Sequence, residues 1–143
     1  MIYIGADHRG FGLKTQIIQW LTKQHIEFQD FGTNSPTTED DYNDFAIPVS
    51  KAVLENPDSF GILICGSAQG MCIQANRFRG IRAAFCHSAT EAVETREHNN
   101  ANILCLSANQ SQANSRETIS AFQNTEFLNL DRYIRRNHKL DEA

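Results

Sequence analysis

The sequence predicts an α/β protein: a three-layer α/β/α Rossmann-like fold built on a five-stranded parallel sheet. Three observations carry this prediction. Short apolar runs of strand length recur along the 143 residues. Amphipathic stretches with helical spacing separate them, and such alternation implies a parallel sheet covered on both faces. Polar turns rich in glycine, asparagine and serine punctuate the pattern.

The elements follow in order. Ile2-Tyr3-Ile4-Gly5-Ala6 is a continuous apolar run suited to a buried strand. Leu13 to Gln24 carries Leu13, Ile17, Ile18, Trp20 and Leu21 near helical spacing. Ile26 to Phe31 alternates like a strand and ends at Gly32. Residues 33–43 read as loop and include the acidic Glu39-Asp40-Asp41. Phe45 to Leu54 fits a helix with Phe45, Val49 and Val53 on one face; Pro48 is tolerable if it falls in the first turn. Phe60 to Ile64 is the third strand, and Met71 to Arg77 a short helix. Gly80 to Phe85 is the fourth strand, followed by a helix from Ser88 to Glu97 with Ser88 as cap. Asn102 to Leu106 is the fifth. Gln112 to Gln123 and a C-terminal helix at about 127–138 close the chain, with Lys139 to Ala143 loose. No repeat or linker divides it, so one domain is expected over 1–143.

Composition narrows the function classes. The formal net charge is −4, whereas nucleic-acid binders usually show a basic domain or stripe. No apolar run approaches the ~20 residues of a membrane helix. With no signal pattern, a cytoplasmic protein with reduced thiols is expected. The cysteines at 65, 72, 86 and 105 form no CxxC pair, so neither a zinc site nor a thioredoxin-like motif is indicated. No GxxxxGK[ST] and no GxGxxG after the first strand is present, which speaks against ATP and NAD.

The most informative stretch is Gly61-Ile-Leu-Ile-Cys-Gly-Ser-Ala-Gln-Gly-Met71. A thiol at the carboxyl end of a buried strand, facing the start of a helix, sits where α/β proteins bind small ligands. Backbone N–H groups there stabilise an anion, and such surroundings favour thiolate over thiol. Other expected strand ends deliver Asp7-His8-Arg9-Gly10, Gly32-Thr33 with Asp41-Tyr42, and Cys86-His87. The helix after the fourth strand ends in Glu97-His98-Asn99-Asn100, which is expected at the same edge. Acid, base and nucleophile candidates in one cleft suggest catalysis. Each also has a plainer reading. Cys65 reads equally as a small core residue, and Cys72, Cys86 and Cys105 read as core residues. Asp7 and His8 read as caps of the first helix. His98 reads as a cation near a helix C-terminus. Arg132 and Arg136, one turn apart, form either a solvated basic face or a phosphate clamp.

Taken together, Gly5-Ala-Asp-His-Arg-Gly10, Asp30-Phe-Gly-Thr33, Asp41-Tyr42, Gly61 to Ser67, Gly80-Ile-Arg-Ala-Ala84 and Arg96-Glu-His-Asn-Asn-Ala-Asn102 resemble the type B ribose-5-phosphate isomerases of the ribose/galactose isomerase family. The resemblance runs from Met1 to about Arg136. It implies aldose–ketose isomerisation of ribose 5-phosphate and ribulose 5-phosphate through an enediolate, with no metal and no organic cofactor. By matched position, Cys65 resembles the base that moves a proton between C1 and C2, and His98 the residue that opens the furanose ring. Asp7 would assist with ring opening or hydroxyl protons, and Ser67 matches a family hydroxyl. Gly66, Ala68, Gln69 and Gly70 would present backbone amides to the enediolate. His8, Arg132 and Arg136 resemble the phosphate set, while Tyr42 and Asn99 would contact sugar hydroxyls. The resemblance also implies a homodimer or homotetramer with shared sites, and a sugar phosphate as partner rather than nucleic acid or membrane.

The chemistry suits these residue types. A carbon acid beside a carbonyl needs a positioned base and donors where the oxyanion forms. A remote phosphate, held by charge-assisted bonds, positions the reacting carbons. The sequence departs from the family pattern at three places. Ala68 stands where the loop usually has glycine, which is costly only if residue 68 needs positive φ. Asn109 follows the fifth strand where relatives often carry arginine, and Tyr133 stands where many have histidine. Two further readings are an isomerase of a six-carbon sugar phosphate (allose 6-phosphate or galactose 6-phosphate) and a non-catalytic sugar-phosphate binder.

Overall fold

A computed structural model describes all 143 residues. The chain alternates β1 (Ile2–Ala6), α1 (Phe11–Lys23), β2 (Phe28–Asp30), α2 (Asn43–Glu55), β3 (Phe60–Cys65), α3 (Gln69–Ala75), β4 (Ala83–Phe85), α4 (Ala89–Asn99), β5 (Ile103–Ser107), α5 (Gln112–Asn124) and α6 (Asp131–Glu142). All strand pairs are parallel, in the order β2-β1-β3-β5-β4. Register runs from Ile2 opposite Phe60 to Ala6 opposite Ile64, and from Gly61 opposite Ile103 to Cys65 opposite Ser107. The chain turns to one side after β1 and to the other after β3. The crevice between these two strands is therefore the switch point at which doubly wound sheets bind ligands.

The two-residue period of the strands sorts the core into two layers. Ile2, Ile4, Ala6, Ile62, Ile64, Leu104 and Leu106 face α1, α4 and α5, packing on Leu13, Ile17, Leu21, Ala92, Ile119 and Phe122. Tyr3, Leu63, Cys65, Ile103 and Cys105 face α2 and α3, packing on Ala46, Val49, Val53, Met71 and Ala75. Each large aliphatic side chain so buried contributes about 1.5–3 kcal/mol. Cys65 thus points to the α2/α3 face from the last position of its strand.

The expected fold holds, with corrections at the margins. The edge strands β2 and β4 are three residues each, shorter than Ile26–Phe31 and Gly80–Phe85. At Gly80 φ is +87°, and the Arg82 N–H bonds to the Asn102 side chain rather than to a ladder partner. Pro48 lies in the second turn of α2, not the first, because the helix already starts at Asn43. The bond lost there is offset by burial of Ala46, Val49, Ser50 and Val53 around it. Ser88 caps α4 as expected, accepting from the Glu91 N–H at 3.3 Å.

The C-terminal helix is displaced from its expected 127–138 to Asp131–Glu142. Asn129, with φ +53°, is left-handed and blocks an earlier start. Lys139 to Glu142 are helical rather than loose. Arg82 Nη1 holds Asp141 by both carboxylate oxygens, at 2.8 and 3.0 Å. No helix is long and apolar enough to cross a membrane.

Candidate active site

Nine of the sequence-predicted site residues converge at the carboxyl edge of β1 and β3. Gly10 brings α1 against β3, since a Cβ there would come within 2.5 Å of the Ile64 carbonyl oxygen. The turn before it is tied by Asp7, whose Oδ1 accepts from the N–H groups of Arg9 and Gly10, both at 3.0 Å. Asp7 therefore ties the turn before α1 and is not the helix cap of the plainer reading, since the N-cap is Gly10 with no side-chain bond; it stands buried beside the end of β3. The Cys65 carbonyl accepts from Ala108 and the Gly66 carbonyl from Ser107 Oγ at 2.7 Å, which pins the thiol's backbone to β5. Ser67 is exposed, and its Oγ accepts from the Gln69 N–H at 3.3 Å.

Ala68 is fully buried with φ +66° and ψ −10°, so the position does require the left-handed conformation. An L residue with a Cβ there carries roughly 1–2 kcal/mol of strain that glycine avoids. The turn leaves the first N–H groups of α3 without helical acceptors. Tyr42, from the start of α2, lies on Gly70; a Cβ on that glycine would come within 2.6 Å of the ring. Gly66 gives similar room to Arg9, whose guanidinium lies 3.0 Å from the place of a Cβ.

His8 completes this group through a partner that sequence reading passed over. Asp40 Oδ1 accepts from the His8 N–H at 3.0 Å and lies 2.7 Å from His8 Nδ1. Burial pushes the Asp40 carboxyl up, but bonds from the His8 backbone and ring outweigh it, and the acid is held below its ordinary value. The nearby Thr33 hydroxyl acts in the same sense without making a hydrogen bond to Asp40, whose Oδ2 has no partner. An ionised carboxylate can only accept, so Nδ1 carries the proton toward Asp40 and Nε2 makes no hydrogen bond within the chain. The acidic run at residues 39–41 was the available signal for this pairing.

His98, Asn99, Arg132 and Arg136 form a second, separate group. The expectation that the end of α4 shares the edge of Cys65 is corrected here. A crossover helix returns antiparallel to its strands, so α4 starts at the carboxyl edge and ends at the amino edge. Its eleven residues span about 16 Å. Arg82, which precedes β4, confirms the placement: its Nε donates to the carbonyls of Asn99 and Asn100 at 2.9 and 3.2 Å. The Arg96–Asn102 motif is largely architectural there. Arg96 Nη1 donates to Asn100 Oδ1 and to the Ala101 carbonyl, and Asn102 accepts from the Arg82 N–H and donates to Gly80.

α6 docks on this end of α4. Asn137 Nδ2 donates to the His98 carbonyl at 3.4 Å. The His98 imidazole stacks on the Tyr133 ring, with centroids 4.8 Å apart and planes inclined 29°. Arg132 lies 4.6 Å over the same ring, its Nη2 3.2 Å from the Tyr133 hydroxyl. Arg136 is exposed one turn further on. No hydrogen bond, ion pair or ring contact joins this group to the Cys65 group, and no cavity of the single chain is lined by Cys65 or His98. A cleft of about 550 Å³ lies at the amino edge between Arg82, Arg96, Asn102 and Asp141.

The remaining thiols divide by environment. Burial pushes Cys86 up to about 12, with Glu91 and Cys72 adding to the shift. Cys105 is driven well above its ordinary value by its contact with Cys72 and by complete burial. Cys72 is pulled down to about 7, chiefly by the Cys105 thiol against the opposing effect of burial. Its Sγ lies 3.4 Å from the Ala83 carbonyl, on the inner side of α3, away from the strand-end turn that holds Cys65.

Comparison with known proteins agrees with this architecture. Residues 2–140 match the family model described as Ribose/Galactose Isomerase. The ribose-5-phosphate isomerase B of Mycolicibacterium paratuberculosis is 36% identical over 136 residues, covering 94% of this chain and 86% of that protein. A ribose 5-phosphate isomerase structure from Thermotoga maritima superposes with a TM-score of 0.95 at 41% identity, over 99% of this chain and 97% of that one. A ribose-5-phosphate isomerase B from Mycoplasma genitalium, solved with bound ribulose-5-phosphate, gives a TM-score of 0.92 at 36% identity, over 99% and 93% of the two chains. With the strand-end turns, the parallel sheet and these relatives all in accord, the chain belongs to the ribose/galactose isomerase family and is a sugar phosphate isomerase.

Proposed function

We propose that this isomerase interconverts ribose 5-phosphate and ribulose 5-phosphate by moving one proton between C1 and C2. The observation that carries this reading is the position of Cys65. It is a buried thiol at the last residue of β3, between the turn held by Asp7 and the left-handed turn at Ala68. The relative solved with ribulose-5-phosphate lends the substrate class. Cys65 as thiolate takes the C2 proton of the open aldose, the electrons flow to the carbonyl oxygen, and an enediolate forms. The first-turn amides of α3, around Gly66, Ala68, Gln69 and Gly70, face the developing oxyanion. Return of the proton to C1 gives the ketose, with Ser67 and Asp7 relaying hydroxyl protons. Tyr42 and Asn99 contact sugar hydroxyls, and His8, Arg132 and Arg136 hold the phosphate, charge against charge. His98 opens the furanose ring.

Because α4 carries His98 to the opposite edge from Cys65, one complete site needs two copies: Cys65 of one protomer faces His98 of the partner subunit. Exposed Leu128, Leu130, Ile134 and Leu140 along the C-terminal segment supply apolar surface for that pairing. The assembly is a homodimer or a pair of homodimers, working in the cytoplasm on sugar phosphate alone.

Cys65→Ala should abolish turnover of ribose 5-phosphate while the fold persists, with Cys72→Ala retaining it. Activity surviving in Cys65→Ala would remove the assigned base. Proton exchange between solvent deuterium and ribulose 5-phosphate excludes a non-catalytic binder. A six-carbon substrate is the second reading. It is favoured by Asn109, which leaves the end of β5 without the arginine common in relatives; its N–H is bound instead by Ser107 Oγ at 3.2 Å. Comparing kcat/KM on ribose 5-phosphate with that on allose 6-phosphate and galactose 6-phosphate decides between them.

A further inference from the structure

We infer that Tyr133 is a positioning residue for ring opening, acting on both His98 and Arg132; the inference rests on the isomerase reading above. Three contacts carry it. The Tyr133 ring is stacked on the His98 imidazole, at 4.8 Å and 29°. The Arg132 guanidinium lies 4.6 Å from the same ring and 3.2 Å from its hydroxyl. Asn137, one helical turn further along the same face of α6, donates to the His98 carbonyl.

The physics of these contacts is specific. His98 is half-buried on the last turn of α4, and no side-chain hydrogen bond fixes its ring. Stacking is therefore the contact that sets the imidazole plane, and flat rings hold one another in offset stacks. A cation over the face of the tyrosine is attracted to the ring quadrupole. One side chain thus sets the spacing between the group that opens the ring and a group that grips the phosphate. Acid–base transfer to the ring oxygen depends on that spacing, because reacting atoms must come within hydrogen-bond reach. An imidazole in place of Tyr133 would stack with a smaller face and lack the hydroxyl that reaches Arg132. Tyrosine here ties together two functions that a histidine at this position would leave independent.

Ring opening is needed to turn over ribose 5-phosphate, which is mostly cyclic. It is not needed for Cys65 to exchange the C1 proton of ribulose 5-phosphate, which is open-chain. The two rates, measured on the same purified full-length protein, therefore separate a ring-opening defect from general damage. In Tyr133→Ala, turnover of ribose 5-phosphate should fall about 10- to 100-fold, the scale expected when a catalytic group is displaced by about 1 Å. Deuterium exchange into ribulose 5-phosphate should fall far less, so the exchange-to-turnover ratio rises. Tyr133→Phe keeps the ring and should keep the ratio, while KM for ribose 5-phosphate rises as Arg132 loses its hydroxyl contact. Equal losses in both rates, or none, in Tyr133→Ala would overturn the inference. If Tyr133→Ala fails to fold, Tyr133→Leu, which retains apolar bulk without a flat ring, is judged by the same ratio. A wild-type protein showing neither turnover nor exchange would refute the isomerase reading itself, a result distinct from an unchanged ratio in an active enzyme.

Discussion

Asp40 shows how a single side chain can matter without standing in the catalytic list. Its carboxyl titrates lower in the folded chain than the ordinary aspartate value of 3.8. The folded state therefore binds fewer protons than the unfolded state as the carboxylate range is crossed. The stability this confers is complete above roughly pH 5 and drains away as the pH falls through the lowered folded value. Asp40→Asn should cost about 1.5–3 kcal/mol at neutral pH, the worth of hydrogen bonds to a charged group. In urea unfolding series the wild type and variant curves should converge at acid pH, once the pH lies below the lowered folded value and Asp40 is protonated in either state. Parallel curves throughout would mean that the charge is not what the His8 contacts use. The pairing was not legible in the sequence because Asp40 is one of three consecutive acids, and only the path of the 33–43 loop decides which of them turns toward His8. Ala68 is the opposite case. The sequence singled out residue 68 but left open whether it takes a positive φ, and the structure answers with φ +66°.

At the scale of elements, the central strands and the helices between them were legible because hydrophobic periodicity is a local property. β1, β3 and β5 fall within a residue of their expected bounds. What failed depends on neighbours. The edge strands lost residues because only one side offers partners, and α6 moved because a left-handed Asn129 and the Arg82–Asp141 pair lie outside any local window. The join of α1 to β3 provides a sharp test of the packing argument. Gly10→Ala would place a methyl 2.5 Å from the Ile64 carbonyl oxygen, a backbone atom that cannot swing aside. It should destabilise by about 1–3 kcal/mol or more, the range of an overpacked core site. Gly12, two residues on within α1, has nothing within 4 Å of its Cβ position. Gly12→Ala should stabilise the protein by about 0.5–1 kcal/mol from helix propensity alone. Thermal denaturation of the two variants tests both signs at once, and a tolerated Gly10→Ala would mean that α1 and β3 are not in close backbone contact.

The whole molecule poses a problem that no single residue or element resolves. The Cys65 group sits at the carboxyl edge of the sheet, and the His98 group sits at the amino edge, at the far end of an α4 about 16 Å long. The strand-end rule located the first group and misplaced the second, because it says where loops leave strands and not where a returning helix ends. Neither group lines a closed cavity in one chain, whereas acid–base chemistry on a carbon acid needs water excluded and groups within reach. The two facts are reconciled if each protomer contributes one half-site to its partner. That arrangement predicts rescue between inactive variants. Cys65→Ala and His98→Asn should each lack turnover of ribose 5-phosphate. Mixed in equal amounts and allowed to exchange subunits, they should recover about a quarter of wild-type activity: half of the two-fold pairs are mixed, and each mixed pair holds one intact site and one doubly impaired site. Activity should grow at the rate of subunit exchange and be absent when the variants are cross-linked as pure pairs beforehand. A mixture that stays inactive despite proven exchange would place Cys65 and His98 in sites that never meet, and ring opening would then have to be assigned to a group at the carboxyl edge, with Asp7 first in line.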